Sequence, residues 1–365
     1  MRRSAAKSHI DDSLLICYLL TLVAGVIMVY SASSIMAESR FGSHWLFFRK
    51  QFMWAAISVF FIWLIGKVDL KRLAVYSAPG LLFSMLLLCL VFLMEARNGS
   101  QRWLFLGPLT MQPSELFKFL MIFYLAFSLS NPKRNLADLR QLLFPYVPIV
   151  GLGLALIVAE PDLGTAIVVF VTAVGLFFLA GARLKHLAYS AAPMVLGGSF
   201  MVLVLGYKKD RILSYLATLA DPLQGGYQVQ QAALTLGAGG LFGVGFGDGR
   251  QKLFFLPYPH TDFILATMGE EIGFIGLLVV LGLLAFLVYR GCRIAVAQPD
   301  KFGFLLAAGM TWSLFVNIAI NVGVVTALLP VTGLALPFFS SGGSSLLISS
   351  MAIGVLLNLS QRVKT

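Results

Sequence analysis

Apolar runs of about 20 residues recur along the whole chain, and they constrain its fold more than any other feature. Such a run can cross the hydrocarbon core of a bilayer as a helix, which satisfies its own backbone hydrogen bonds. Of the 365 residues, 59% are hydrophobic and 12% are charged, whereas soluble domains carry about 25% charged residues. The sequence therefore predicts an all-α integral membrane protein with a single polytopic domain over residues 1–365.

The apolar runs predict ten membrane-spanning helices, at residues 13–34, 51–66, 73–94, 113–130, 142–159, 164–181, 187–206, 262–289, 303–328 and 343–360. Lys and Arg are more frequent in the loops on the side of the two termini, and such an excess marks the cytoplasmic side. Both termini are therefore predicted to be cytoplasmic, which leaves residues 207–261 as one large loop on the outer face. The same rule accounts for the net charge of +11, so we do not predict nucleic-acid binding.

Glycines are concentrated in one stretch of the large outer loop, Gly237–Arg250. No Gly-Lys-Ser/Thr follows it, and its spacing is not G-x-G-x-x-G, so the stretch is not predicted to bind a nucleotide. A tightly turning segment with close backbone approach is the better interpretation. The cysteines Cys17, Cys89 and Cys292 show no C-x-x-C spacing, which argues against a zinc site or a disulfide framework.

Ionisable residues at membrane depth are costly to keep there, so they are functional candidates. In this chain they come from three separate segments, and all lie in the outer half of the predicted bundle. They are Glu115 and Lys118, Glu160 and Asp162, and Asp262, Glu270 and Glu271. The residues alone thus support an outer cavity for a polar or anionic substrate.

Asp262 stands where the large loop turns into the helix predicted at 262–289. Its carboxylate could act as a general base for a hydroxyl, or it could be the N-cap of that helix, and the spacing does not decide between them. Glu270 and Glu271 lie about 12–14 Å deeper and point about 100° apart, so at least one is expected to make a structural bond.

Other features leave alternatives open. Glu115 and Lys118 are three residues apart and can share a helix face, either as a structural pair or as functional groups. His260 is a weak candidate for a metal ligand, because the chain has only four histidines. Helix-interrupting residues near the ends of the last two helices are also typical of transporters with broken helices. They are Gly323, Pro330, Pro337, Gly342 and Gly343.

The order of motifs along nearly the whole chain resembles the SEDS family of shape, elongation, division and sporulation proteins, and its FtsW/SpoVE branch more than RodA. The matching motifs run from Met28–Ser33 through Arg102-Trp103, Gln112–Lys118, Glu160–Ala166, Gly225–Gln231, Arg250–Lys252, Leu256–Ile264, Gly269–Gly273, Ile320–Phe338 and Gly342–Ser345. Two departures are Tyr258, where the family commonly has Glu, and Ser341, where it commonly has an aromatic residue.

The resemblance implies a peptidoglycan glycosyltransferase that polymerises lipid II, the undecaprenyl-pyrophosphate-linked disaccharide peptide. It implies action at the outer face of the bacterial cytoplasmic membrane, at the division septum. It also implies a class B penicillin-binding protein as the transpeptidase partner, together with other division proteins and membrane lipids.

The resemblance also assigns roles to residues. The family's essential acidic residue falls on Asp262, which we expect to be the base, and its sensitive positions fall on Glu115, Lys118, Glu160 and Asp162. Positive charge is needed where the pyrophosphate leaves, and the candidates for substrate contact are Arg102, Lys118, Arg211, Arg250, Lys252 and His260. Glu270 and Glu271 are expected to support the cavity. No cofactor is expected to be required; a divalent cation, Mg or Mn, with Asp262 or Glu160 as ligand, is left open.

Three other functions stay open. A lipid II flippase would need a polar path through the inner half of the bundle, where no intramembrane charge is predicted. A RodA-type elongation polymerase would use the same chemistry. A non-catalytic division scaffold would make Asp262 dispensable.

Overall fold

The computed structural model describes residues 10–94, 101–107, 109–134, 138–144, 146–203, 206, 209–220, 226–252 and 255–363. Within them the helices are α1 Asp12–Phe41, α2 Leu46–Lys67, α3 Leu70–Val75, α4 Ser77–Val91, α5 Pro113–Leu129, α6 Leu139–Leu143, α7 Tyr146–Ala159, α8 Leu163–Leu179, α9 Leu184–Leu203, α10 Lys209–Ala220, α11 Tyr227–Ala238, α12 Ile264–Val296, α13 Lys301–Val325 and α14 Gly343–Ser360. Strands β1 Leu104–Leu106 and β2 Leu109–Met111 form an antiparallel hairpin.

The helices follow from the apolar composition, because a helix pairs its own backbone groups where water is absent. Among the described residues, five helices are long and apolar enough to cross a membrane: α1, α2, α12, α13 and α14. Helices α4, α7 and α8 are apolar but shorter. The chain is therefore an all-helical membrane protein with several apolar spans.

Each of the ten predicted helices overlaps an observed helix, namely α1, α2, α4, α5, α7, α8, α9, α12, α13 and α14. That all ten cross the membrane, and on which side the termini lie, stay predictions. The prediction was incomplete in the outer loop, where residues 209–220 and 227–238 are helices α10 and α11. It also missed the hairpin, whose turn includes Gly107 at a φ of 65°. Local patterns of this length are weak signals beside long apolar runs.

A central group of helices forms the core. α14 packs against α2, α12 packs against α13, α4 packs against α5, and α1 lies between α2 and α12. α13 also contacts α5 and α8, so its buried face joins two sides of the bundle. This arrangement leaves the long connection 326–342, between α13 and α14, free to line a cavity.

Helix α12 is interrupted at Gly273, which has a φ of 68° and a ψ of −174°. The glycine-rich loop supplies the missing backbone partners there. Val244 and Gly245 donate N–H groups to the carbonyls of Glu270 and Glu271, at 2.9 and 3.2 Å. Beyond the break, Phe274 and Ile275 donate N–H groups to the carbonyls of Gly240 and Leu241, at 2.9 and 3.1 Å. The glycine-rich loop thus turns tightly, as expected, and its backbone pairs with the groups that the break in α12 leaves unpaired.

A side chain at two of these glycines would not fit. A Cβ at Gly243 would overlap the backbone of Glu271, and one at Gly273 would overlap the backbone of Gly243. Gly323, Pro330, Pro337, Gly342 and Gly343, which left a transporter with broken helices open, do not interrupt α13 or α14. Gly323 lies inside α13 and Gly343 begins α14, while the other three lie in the connection between those helices.

A buried ion pair fixes the same loop to the bundle. Lys252 Nζ lies 2.6 Å from Glu271 Oε1 and 3.3 Å from Ser31 Oγ on α1. Ser31 Oγ in turn donates to Glu271 at 2.6–2.7 Å. Glu270 accepts the backbone N–H groups of Arg250 and Gln251, at 2.8 and 3.2 Å. Both glutamates therefore make bonds within the fold, and neither is free to meet a substrate.

Replacing Lys252 with Met should destabilise the protein by about 3–5 kcal/mol, because it leaves the carboxylate of Glu271 buried without a cation. Thermal unfolding in detergent measures the effect. The matched control is Lys209→Met at an exposed lysine. The double variant Lys252→Met/Glu271→Leu should recover most of the loss. An unchanged unfolding temperature for Lys252→Met would contradict the importance of this pair.

Candidate active site

Asp262 lies immediately before α12, but it is not the N-cap of that helix. The N-cap is Phe263, and no side chain caps the helix there. The alternative of an N-cap role is therefore wrong for Asp262. Its half-buried carboxylate is left to face a cavity.

The backbone carbonyls around Asp262 are all hydrogen-bonded. Each of the four carbonyl groups of residues 259–262 accepts a hydrogen bond from a different residue. The pairs are Thr267 Oγ1 to Pro259 O at 3.1 Å, Ser341 N to His260 O at 2.8 Å, Ser340 Oγ to Thr261 O at 2.6 Å, and Asn321 Nδ2 to Asp262 O at 3.0 Å. This network fixes the loop from α12, α13 and the 326–342 connection at once, which is the support that a reactive group needs.

Asn321 is the most informative of these donors. It lies on α13 and is almost fully buried, and its amide also donates to the carbonyl of Leu334 at 2.7 Å. One side chain thus holds Asp262 and the opposite cavity wall together. Nearby, Gly333 has a φ of 77°, and a Cβ there would lie 3.6 Å from Asp262 Oδ2.

Asp262 faces a cavity of about 490 Å³ between the hairpin, α5, α13 and the connection to α14. Its lining mixes aromatic, hydroxyl, amide and charged groups. The lining residues are Arg102, Trp103, Phe105, Thr110, Gln112, Glu115, Thr165, Arg211, Tyr258, Thr261, Asp262, Asn317, Thr332, Gly333, Leu334, Ala335, Ser341, Gly342 and Ser345. Such a mixture suits a polar ligand with defined orientation.

Two guanidinium groups, those of Arg102 and Arg211, belong to this lining. Arg102 Nη1 lies 3.8 Å from Asp162 Oδ1, and Arg211 Nη1 donates to the carbonyl of Val331 at 3.1 Å. Neither contact uses all five donors of a guanidinium. Both residues therefore keep N–H groups for an anionic ligand.

Asp162 organises the cavity wall and does not line it. Its carboxylate caps α8 by accepting from Thr165 N at 3.2 Å, and it accepts from Thr165 Oγ1 at 2.9 Å and from Gln112 Nε2 at 2.7 Å. Gln112, Thr165 and Arg102 are all cavity residues. The geometry thus supports a positioning role for Asp162 over direct substrate contact.

Glu115 and Lys118 form a buried ion pair at 2.8 Å on α5, as their spacing predicts. Glu115 reaches the main cavity, whereas Lys118 lines a small void of about 10 Å³. Asn317 lines both spaces. The pair therefore forms the floor of the cavity, with the carboxylate toward it.

Arg250 and Lys252 lie away from the cavity. The ammonium of Lys252 is taken by Glu271, and Arg250 borders a separate depression with Asp248 and Glu270. The placement does not support the predicted contact of either residue with a substrate in this cavity.

His260 is buried and packs against Phe47 of α2, with 4.7 Å between the ring centroids. Burial and the nearby charge of Arg40 lower the pKa of His260 to about 4, so the ring is neutral at physiological pH. It holds the loop before Asp262 against the first turn of α2, and it does not line the cavity.

Burial raises the pKa of Asp262 to about 6, against the opposing influence of Arg102, Arg211 and a hydrogen bond from Thr261. A carboxylate with that pKa is ionised at neutral pH and is a stronger base than an exposed aspartate.

Glu160 is fully buried in the turn between α7 and α8. Burial and the charge of Asp162 raise its pKa to about 8, although Arg102 opposes the shift.

A metal cage made by the chain alone is not found in the described ranges. They contain no group of three or more His, Cys, Asp or Glu side chains arranged to hold a metal ion. Glu160 and Asp262, the predicted alternatives for a metal ligand, therefore belong to no such group.

The profile of the cell cycle protein family FtsW/RodA/SpoVE matches residues 11–365. The chain belongs to this family. Stage V sporulation protein E of Bacillus subtilis is 41% identical over 358 residues, covering 97% of this chain and 98% of that protein. A probable peptidoglycan glycosyltransferase FtsW of Geobacter sp. strain M18 is 40% identical over 343 residues, covering 93% and 94%.

Solved structures share the fold of this chain. A chain from work described as "Structural coordination of polymerization and crosslinking by a peptidoglycan synthase complex" superposes with a TM-score of 0.79 at 27% identity, covering 96% of this chain and 97% of that one. The crystal structure of Thermus thermophilus rod shape determining protein RodA gives a TM-score of 0.70 at 28% identity, covering 98% of each chain.

The sequence reasoning missed the residues that hold Asp262. Asn321 and Asn317 carried a signal, because they are polar, four residues apart, and lie inside an apolar helix of this FtsW/RodA/SpoVE chain. Ser340 and Thr267 carried none, since hydroxyl residues are common in apolar segments. Trp103, Phe105 and Gln112 could be placed in the cavity only from the folded hairpin.

Replacing Asn321 with Leu should lower turnover about 100-fold with little change in KM, because the loop that carries Asp262 loses its tie to α13. The measurement is the steady-state kcat and KM of the reaction catalysed at this cavity. Asn358→Leu is the matched control, since Asn358 also donates to two backbone carbonyls, those of Ile65 and Val68, both at 2.8 Å. Equal losses of turnover in both variants would show a merely structural role for Asn321.

Replacing Glu160 with Gln should flatten the pH dependence of stability. The folded-state pKa of about 8 exceeds the ordinary value of 4.5, so the folded protein holds the proton that the unfolded chain has lost. Stability should therefore fall as pH rises through this interval, by up to about 1.4 kcal/mol per pH unit. Gln cannot ionise, so the variant should match the wild type near pH 5 and exceed it near pH 9. Parallel unfolding profiles of the two proteins would contradict an ionisable, buried Glu160.

Proposed function

We propose that this protein is a peptidoglycan glycosyltransferase that polymerises lipid II at the outer face of the bacterial cytoplasmic membrane. The observation that carries the proposal is the carboxylate of Asp262, on a loop whose four carbonyls at residues 259–262 accept hydrogen bonds, in a cavity that also holds two guanidinium groups. The named relatives add support, since several are called probable peptidoglycan glycosyltransferases.

Asp262 acts as the general base. The 4-hydroxyl oxygen of one sugar attacks the anomeric carbon of the next, and the carboxylate of Asp262 takes the hydroxyl proton. The bond from that carbon to the lipid pyrophosphate breaks, and the electron pair leaves with the pyrophosphate. Attack from the opposite face inverts the anomeric carbon, so one base suffices.

Arg102 and Arg211 stabilise the pyrophosphate as negative charge develops on it. Guanidinium groups bind phosphate oxygens in a bidentate manner and stay charged at any physiological pH. Asp162 and Gln112 keep Arg102 in place, and the carbonyl of Val331 does the same for Arg211. Lys118 acts from the cavity floor through Glu115.

The proposed reaction needs no organic cofactor. If a divalent cation takes part, Asp262 or Glu160 would be its protein ligand, and it would supply positive charge to the leaving pyrophosphate. Mg²⁺ is commonly bound in this way, by one or two carboxylates together with substrate phosphates.

The proposal includes ten membrane spans with both termini in the cytoplasm. The basic bias of the loops supports that orientation, and it puts Asp262 at the outer surface, where the lipid-linked sugar is polymerised. Residues 1–365 would then act as one domain.

The proposed partner is a class B penicillin-binding protein, which crosslinks the strands as they are made. The structure of a peptidoglycan synthase complex that contains a chain of this fold supports the pairing. The FtsW and sporulation names among the relatives favour the division septum over elongation.

Asp262→Asn should lower the polymerisation rate by about 100- to 10,000-fold, because the amide cannot accept the hydroxyl proton. Gel analysis of strands made from labelled lipid II, by the protein purified with its partner, gives the rate. In the wild type, kcat/KM should rise with pH around the Asp262 pKa of about 6. Rates within a few-fold of wild type for Asp262→Asn would rule out the base.

The same preparation separates the enzyme from a flippase. In sealed vesicles, a flippase would move labelled lipid II between leaflets without forming strands. Strand formation that disappears in Asp262→Asn supports the enzyme, whereas translocation that survives in that variant supports the flippase.

A further inference from the structure

The small void behind the floor of the main cavity lies where α5, α13 and α14 meet, and its volume is about 10 Å³. Most of its lining is apolar. Four polar side chains also line it, those of Lys118, Ser313, Asn317 and Ser349, and all four are almost fully buried. Buried polar groups are costly unless they are hydrogen-bonded, so the partners of these four groups need to be identified.

The amide oxygen of Asn317 is an acceptor at this void. It is buried, and it meets no hydrogen-bond donor among the residues that the structure describes. Asn317 lines both the void and the main cavity, so its amide lies in the wall between them. A donor for its oxygen must therefore come from one of these two spaces.

Lys118 supplies donors to the same void. Its Nζ lies 2.8 Å from Glu115 Oε2, with which it forms the floor of the main cavity. An ammonium carries three donors. The pair with Glu115 therefore leaves Lys118 able to donate to a further acceptor.

The size of the void fits one water molecule. A buried water needs roughly 10–15 Å³ of such space and usually makes about three hydrogen bonds. The void offers donors at Lys118, an acceptor at Asn317, and the hydroxyls of Ser313 and Ser349, which donate or accept. An organic group is too large for it.

The charges around the void favour water over a small ion. A cation would lie beside the ammonium of Lys118. An anion would lie beside the acceptor oxygen of Asn317 and close to the carboxylate of Glu115. Water accepts a hydrogen bond from the ammonium and donates one to the amide oxygen, so it satisfies both groups.

We propose that one water molecule occupies this void, accepts a hydrogen bond from Lys118 Nζ and donates one to Asn317 Oδ1. The water fixes the direction in which the amide of Asn317 points. With its oxygen bound in the void, the amide presents its NH₂ group to the main cavity, where it donates to an oxygen atom of the substrate. This role of the NH₂ group rests on the proposed function, whereas the water site does not.

An experimental structure of the full chain, at a resolution that shows ordered waters, tests the water site. One peak of density is expected within hydrogen-bond distance of both Lys118 Nζ and Asn317 Oδ1. In Asn317→Gln, whose side chain is one methylene group longer, the amide oxygen should take the place of the water and the peak should disappear. A wild-type void without density would overturn the proposal.

The kinetics of strand formation from labelled lipid II, by the protein purified with its partner, test the role of the amide. Asn317→Leu has nearly the same size but cannot donate, so KM for lipid II should rise about tenfold, the effect of one lost hydrogen bond. Asn317→Gln keeps a fixed amide, and its KM should stay within about threefold of the wild-type value. An unchanged KM in Asn317→Leu would overturn this role.

Asn358→Leu is the matched control, because Asn358 is a buried asparagine whose amide donates to the backbone carbonyls of Ile65 and Val68. It should leave KM unchanged even where it lowers the unfolding temperature. Equal rises of KM in both Leu variants would show a general effect on the fold and would overturn the role of Asn317. A wild-type protein that makes no strands would overturn the proposed function, and the density between Lys118 and Asn317 would still decide the water site.

Discussion

The site depends on hydrogen bonds to four successive backbone carbonyls, those of residues 259–262. These four carbonyls have no neighbouring strand or helical turn to pair with, so they would otherwise need water. Here α12, α13 and the connection to α14 supply the donors. Because all four carbonyls are engaged, the backbone that carries the carboxylate of Asp262 is held in place at the cavity.

The charges of the bundle divide into two sets by what surrounds them. Lys252 with Glu271, and Lys118 with Glu115, are buried pairs whose partners are fixed. Arg102 and Arg211 keep free donors at the cavity. A buried pair adds little net stability, and losing one partner is costly, so the first set maintains geometry while the second can respond to a ligand.

The sequence predicted the helices and the ionisable candidates better than the contacts among them. Long apolar runs identify helices because the membrane leaves few alternatives. They do not show that Gly273 breaks α12, since one glycine in an apolar run is often tolerated inside a helix. The partner of Lys252 also could not be read from spacing: Glu271 lies nineteen residues on, and the ion pair forms only because the glycine-rich loop folds back.

The sequence also could not decide whether Asp262 is an N-cap, and it could not show that Asn321 binds the backbone of Asp262. The choice between a base and an N-cap depended on where α12 begins, and helix ends are the least certain part of any sequence prediction. Asn321 lies 59 residues from Asp262 along the chain. No local pattern joins residues so far apart, and only the packing of α13 against α12 brings them together.

The broken helix also has a consequence for the order of assembly. The segment that plugs the break, residues 240–245, precedes α12 in the chain and is therefore made first. The backbone groups on both sides of Gly273 therefore have their partners in a segment that is already synthesised when α12 is made. An unpaired peptide group is costly inside a bilayer, so a plug made after the helix would leave that cost standing during insertion. Because residues 240–245 precede α12, the partners of these backbone groups are present when α12 is inserted.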